Sequence, residues 1–186
     1  MAQIILASGS PRRKQLLAAA EIDFEVRVSD ADESYPLGLP ASDVPEYIAR
    51  NKALATPVDG DELVIAADTI VVIDGLIIGK PVDKDDAIRM LSLLAGKTHV
   101  VYTGVVMLQC GKEWAFTDKT EVVFNDLSVD QISYYVNKYN PLDKAGAYAI
   151  QEWIGYIGIK SITGDYYNVM GLPVNRVVEG LKLFGV

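Results

Sequence analysis

The chain has 186 residues, half of them hydrophobic and 23% charged, with a formal net charge of −8. This predicts a single folded domain over residues 1–186, with a sizeable core and room for two lobes, and it excludes a mainly disordered chain. An acidic chain lacks the basic face that general nucleic-acid binding needs, no stretch approaches the roughly 18 apolar residues of a membrane span, no signal-peptide pattern opens the chain, and the single cysteine, Cys110, suits a reducing cytoplasm.

Ile4-Ile5-Leu6-Ala7 reads as a first strand and Lys14 to Ala20 as the body of a helix. Between them lies Ser8-Gly9-Ser10-Pro11-Arg12-Arg13. Ser10 suits the N-cap and Pro11 the first helical position. A helix N-terminus carries about half a positive charge and favours acids in its first turn. Here Arg12, Arg13 and Lys14 occupy it, whereas Asp83-Lys84-Asp85-Asp86 opens a later helix in the expected way. Free backbone N–H groups, the Ser8 and Ser10 hydroxyls and two guanidinium forks at one helix end make a candidate phosphate site. The plainer alternative is a solvated basic turn.

Phe24–Val28 is expected as a second strand, followed by an acidic loop over residues 30–40. Asp43-Val44-Pro45-Glu46 has the spacing of a capping box and opens a helix to about Ala55. Residues 63–73 are almost continuously apolar, the pattern of a strand buried on both faces. Asp74-Gly75 predicts a hairpin turn into Leu76-Ile77-Ile78. An amphipathic helix is expected over 84–95, closed by Gly96. Two long strands, 98–109 and 113–124, meet at Cys110-Gly111-Lys112. Ser128 to Gln131 caps a further helix, and a last one runs from about Pro173 to Phe184. These elements predict a mixed-sheet α/β protein.

Asp68 interrupts the apolar run, and on a strand it shares a face with Val64, Ala66, Ile70 and Val72. A carboxylate there must be paired, protonated or bound to a metal. Lys52, late in the preceding helix, and Lys80, which the hairpin carries back towards Asp68, are candidate cations. Glu33, in the acidic loop, could hold a hard cation such as Mg²⁺ together with Asp68, phosphate oxygens completing its shell. Gln151, in Ala145–Gln151, offers both a donor and an acceptor to the edge of a base. His99, the only histidine, reads as structural, and Tyr166 and Tyr167 read as core packing. Neither a Gly-x-Gly fingerprint nor a Gly-x-x-x-x-Gly-Lys loop is present.

The motifs LASGSPRR at 6–13, DE at 32–33, ARNKA at 49–53, AADT at 66–69, GKP at 79–81, GKTHVVYTGV at 96–105, AGAYAIQ at 145–151 and YYNVMGLP at 166–173 together resemble the Maf family of nucleoside triphosphate pyrophosphatases. The resemblance implies an elongated, two-lobed α/β structure with a mixed central sheet flanked by helices and a cleft, similar to inosine triphosphate pyrophosphatases. It implies hydrolysis of a nucleoside triphosphate to the monophosphate and pyrophosphate with a divalent cation, Mg²⁺ or Mn²⁺. By the same resemblance Asp68 is the proton acceptor and a metal ligand with Glu33. Ser8, Arg12, Arg13, Lys52 and Lys80 match triphosphate-binding positions. Arg12, Thr69 and Gln151 match the subgroup acting on dTTP and UTP rather than 7-methyl-GTP. A cytoplasmic homodimer is implied, with neither nucleic acid nor membrane as a partner. Glu152 and Asp165 depart from the residues usual at their positions, both near the expected base pocket. The competing expectation is a nucleotide-binding regulator of septum formation and cell division with little turnover.

Overall fold

Ile4, Ile5 and Leu6 are all buried and form β1 (Ile4–Leu6) in the computed structural model, which describes residues 2–186. The chain then enters α1 (Pro11–Ala19), with the Ser10 side chain accepting from the Arg13 amide as N-cap. The second strand, β2 (Glu25–Val26), is shorter than the expected 24–28. It lies at the edge of the sheet, where Val28 is exposed and Arg27 turns to Glu62 and Glu25.

Helix α2 (Val44–Ala55) starts where expected, but the capping box does not form. Asp43 accepts instead from the Ser42 hydroxyl, and Glu46 pairs with Arg50 one turn on. Then come β3 (Leu63–Ile73) and β4 (Leu76–Ile78), paired antiparallel through Asp74-Gly75, both with positive φ as that turn requires. Helix α3 (Lys84–Leu94) is capped by Asp83 and buries Ala87, Met90, Leu91 and Leu94. β5 (Thr98–Gln109) and β6 (Lys112–Phe124) flank the turn Cys110-Gly111. In α4 (Val129–Tyr139) the Ser128–Gln131 capping box is present on both sides.

The last third holds elements that the sequence pattern did not announce: a 3₁₀ turn at Ala145–Ala147, α5 (Trp153–Gly158), β7 (Ile159–Thr163) and α6 (Tyr166–Met170). Each is too short to show a hydrophobic period. α7 (Val174–Leu183) follows the expected span to within one residue at each end.

Among the described residues seven strands make one mixed sheet in the order β2-β1-β3-β5-β6-β7, with β4 beside β3 and helices flanking it. β1 runs parallel to both β2 and β3. The chain divides into two compact units. The first comprises the chain through Thr69, Thr103–Asp118 and Gly171–Val186. Its core packs Ala49 and Ala53 of α2 on Ile5, Ala7, Val64, Ala66 and Val106. The second comprises Ile70–Tyr102 and Lys119–Met170. There α3 packs on α4, and His99, Phe124 and Tyr148 meet edge to face.

Candidate active site

β1 stops at Leu6, which is in register with Ile65 of β3. β3 continues, so Asp68 and Thr69 emerge beyond the carboxyl end of β1, where α1 begins. That is where parallel α/β sheets place ligands. Neighbours on a strand face opposite ways, and the two residues accordingly meet different partners.

Asp68 shares its face with Val64 and Ala66, which pack on Ala49 and Ala53 of α2. The same helix carries Lys52, whose Nζ lies 2.7 Å from Asp68 Oδ1. The Asp68 side chain keeps 15% exposure, so it is paired at the rim of the sheet core rather than sealed inside it. Lys52 Nζ also lies 2.8 Å from Glu33 Oε1. The loop that brings Glu33 there is shaped by Asp32, which accepts from the Ser34 amide and hydroxyl at 2.8 and 2.7 Å. Those hydrogen bonds hold the Asp32 carboxyl below its ordinary range. The sequence named both acids; the fold turns one to the loop and the other to Lys52.

Thr69 faces α1. Its Oγ1 accepts from Arg13 Nη2 at 3.1 Å and shares a 2.9 Å hydrogen bond with Thr103 Oγ1. Arg13 is buried, and Nη1 donates to Ser8 Oγ at 3.1 Å while Nε donates to the Gly171 carbonyl at 2.8 Å. Burial lowers the Arg13 pKa, with Asp68 pulling it back up. Arg13 therefore braces three chain segments as well as lending charge. Ser8 Oγ accepts from Arg13 and, at 3.3 Å, from the Ser10 amide, so its own proton is left to donate. Ser10 caps α1 as expected. Arg12 sits half-buried in the first turn of the same helix, which contains no acid. Gly171 has φ +112°, a backbone form that side chains rarely adopt, and this is what lets its carbonyl meet Arg13.

The first unit thus gathers Ser8, Ser10, Arg12, Arg13, Glu33, Lys52, Asp68 and Thr69. Lys80 and Gln151 belong to the second unit. Lys80 is exposed just after β4. The Gly79 carbonyl beside it accepts from the Gly146 amide at 3.0 Å, five residues before Gln151. Thr103 and the Gly171 carbonyl are members of the cluster that the sequence did not single out. Both stand in quoted motifs, but a hydroxyl on a strand and a backbone oxygen show no role until their partners are placed.

One expectation near the base-reading segment needs correction. Tyr166 and Tyr167 are not core residues; they are 38% and 50% exposed, because α6 turns Asn168 and Met170 inwards instead. Glu152 and Asp165 have local partners of their own: Tyr135 donates to Glu152 Oε2, and Asp165 Oδ1 accepts from the Tyr167 amide at 2.7 Å.

The family model for Maf-like protein matches residues 3–184. The dTTP/UTP pyrophosphatase of Bacteroides thetaiotaomicron is 51% identical over 183 residues, covering 97% of this chain and 95% of that relative. The dTTP/UTP pyrophosphatase of Phocaeicola vulgatus is likewise 51% identical, with the same coverage. A solved HAM1 protein from Coxiella burnetii is similar with a TM-score of 0.44 at 13% identity, over 67% of this chain and 73% of that one. With a family match from residue 3 to residue 184 and relatives at half identity over nearly their whole length, the chain belongs to the Maf family.

Proposed function

We propose that this Maf protein hydrolyses nucleoside triphosphates, dTTP and UTP foremost, to the nucleoside monophosphate and pyrophosphate, so removing non-standard or excess nucleotides. The observation that carries the proposal is the Asp68 carboxylate standing at the end of β3 beside a lysine, with a buried arginine and a donor-ready serine at the adjoining helix end. Relatives named dTTP/UTP pyrophosphatase at 51% identity support the substrate class.

In this scheme the α1 backbone N–H groups, Ser8, Ser10, Arg12, Arg13, Lys52 and Lys80 hold the triphosphate, since donors and cations at a helix start suit phosphate oxygens. Asp68 takes a proton from the attacking water. The water oxygen bonds to the first phosphorus as the bridging bond to the second phosphate breaks, and pyrophosphate departs with the electron pair. Arg12, Thr69 and Gln151 select the base.

Asp68 and Glu33 converge on one ammonium, a hard-oxygen pair already facing a cation. Among the described residues no three acid, histidine or cysteine side chains gather into a cage. A two-carboxylate site fits Mg²⁺ or Mn²⁺, which take phosphate oxygens for the rest of their shell. When bound there, such an ion neutralises phosphate charge. Cytoplasmic location and a homodimer are part of the same proposal. The lone exposed Cys110 suits a reducing compartment, and no helix among the described residues is long and apolar enough to cross a membrane.

The test is pyrophosphate release from a panel of dTTP, UTP, CTP, dATP and GTP, with and without Mg²⁺. Turnover of dTTP and UTP above the others is expected. Binding of these nucleotides without turnover would replace the enzyme by a nucleotide-dependent regulator of cell division.

A further inference from the structure

The turn Ala149–Glu152 carries Gln151, and both of its ends are tied to a single phenol. Tyr135, on α4, is fully buried and stacks on Tyr139 with ring centroids 5.0 Å apart. Its hydroxyl oxygen accepts from the Ala149 amide at 3.2 Å and donates its proton to Glu152 Oε2. The backbone closes the same turn, the Glu152 amide donating to the Ala149 carbonyl at 3.1 Å. Lys144, buried nearby, pairs with Asp143 at 2.6 Å and also lies 3.6 Å from Glu152 Oε1.

A hydroxyl has one proton, and a carboxylate is acceptor-only. The direction of the chain is therefore set: amide to phenol to carboxylate. Linked hydrogen bonds away from water reinforce one another and rigidify what they join. What they join here is the segment presenting Gln151. The Gln151 Oε1 atom is buried and has no hydrogen-bond partner among the described residues. Buried acceptors are normally satisfied, and this oxygen keeps its lone pairs for an N–H donor. Uracil and thymine rings offer an N–H on their pairing edge where cytosine has a bare nitrogen.

We propose that Tyr135 and Glu152 are positioning residues for base selection, clamping the turn so that the Gln151 carbonyl meets the pyrimidine edge at one fixed place. The inference rests on the role given to Gln151 in the proposed function. Neither residue touches substrate; both act through Gln151.

The experiment compares wild type with Tyr135→Phe, Glu152→Ala and Glu152→Gln for kcat/KM on dTTP, UTP and CTP. UMP and CMP binding is measured in parallel by calorimetry. Tyr135→Phe keeps the buried ring and removes only the hydroxyl. The expected result is a loss of roughly tenfold or more in the UTP-to-CTP ratio, carried mainly by KM. Glu152→Ala is expected to narrow the ratio likewise, and Glu152→Gln, which retains an acceptor, to recover most of it. The double variant Tyr135→Phe/Gln151→Ala should lose no more selectivity than Gln151→Ala alone.

A merely structural phenol would lower Tm with the base ratio unmoved, and that outcome overturns the clamp. Should Tyr135→Phe fail to fold, Glu152→Ala decides on the same ratio. A wild type that turns over no nucleotide defeats the proposed function, while its UMP-to-CMP binding ratio in the same variants still decides the clamp.

Discussion

Lys52 Nζ stands 2.7 Å from Asp68 Oδ1, joining α2 to the end of β3 through one ion pair. The contact follows from packing. Ala49 and Ala53 bring α2 close to Val64 and Ala66, and the residue before Ala53 then reaches the next inward position along the strand. A carboxylate held this way keeps its place without being sealed from solvent. Asp68→Asn preserves shape and removes the base. Turnover of dTTP should fall at least about a hundredfold, the range for loss of a general base, with an unchanged circular dichroism spectrum. Near-normal hydrolysis by the folded variant would remove Asp68 from the proton-transfer role.

Arg13 is a brace whose loss should register in stability before it registers in chemistry. Its three nitrogens donate to Gly171, Ser8 and Thr69, residues far apart in the chain. Lysine cannot reproduce a planar fork aimed at three acceptors. Arg13→Lys should cost about 2–4 kcal/mol, since each buried partner left unpaired costs on the order of 1–3 kcal/mol. Urea denaturation measures this, and a midpoint equal to wild type would show that the fork does not hold the segments together.

His99 gives the protein a stability gradient in mild acid. It is 1% exposed, shares a 2.7 Å hydrogen bond with Tyr148, and burial pushes its pKa down to about 4 from 6.5. The folded state therefore keeps the ring neutral where the unfolded chain already binds a proton. The stabilising contribution is present in full above 6.5 and is lost as pH falls from 6.5 towards 4. A shift of this size amounts to roughly 3 kcal/mol. Denaturation midpoints at pH 4.5 and 7.5 for wild type and His99→Gln test it. The variant, which cannot titrate, should show the shallower pH dependence; equal slopes would refute the assignment.

Gly104 marks where β5 passes against α2. A Cβ there would fall far inside contact distance of the Glu46 backbone nitrogen and Cα, and backbone cannot swing aside as a side chain can. Gly104→Ala should destabilise by about 2–3 kcal/mol through forced separation of the two elements. Thermal unfolding measures it. A Tm within a degree of wild type would mean that the helix shifts freely.

Much of the fold before Ala145 was legible because its elements are long enough to show their period. The buried run 63–73, the Asp74-Gly75 turn, the Ser128 capping box and the helix start at Ser10-Pro11 all came from local rules, and each has its expected partner. The segment from Ala145 to Gly171 was not legible in this way. Its helices of five and six residues and its five-residue edge strand are held by contacts made at a distance, among them the Asn168 side-chain amide bonded to Thr120.

For the site, composition and spacing by themselves selected a charged helix start that breaks the dipole rule and an acid set in an apolar strand, because both are costly unless they serve something. Which acid of Asp32-Glu33 meets Lys52, that Arg13 is spent on bracing as well as on charge, and that Thr103 and a glycine carbonyl complete the cluster were decided only by the tertiary structure. The physical reason is that hydrogen-bond direction and burial belong to pairs of residues. Thr69 and Thr103, 34 positions apart, have no relation until the sheet sets their hydroxyls 2.9 Å from one another.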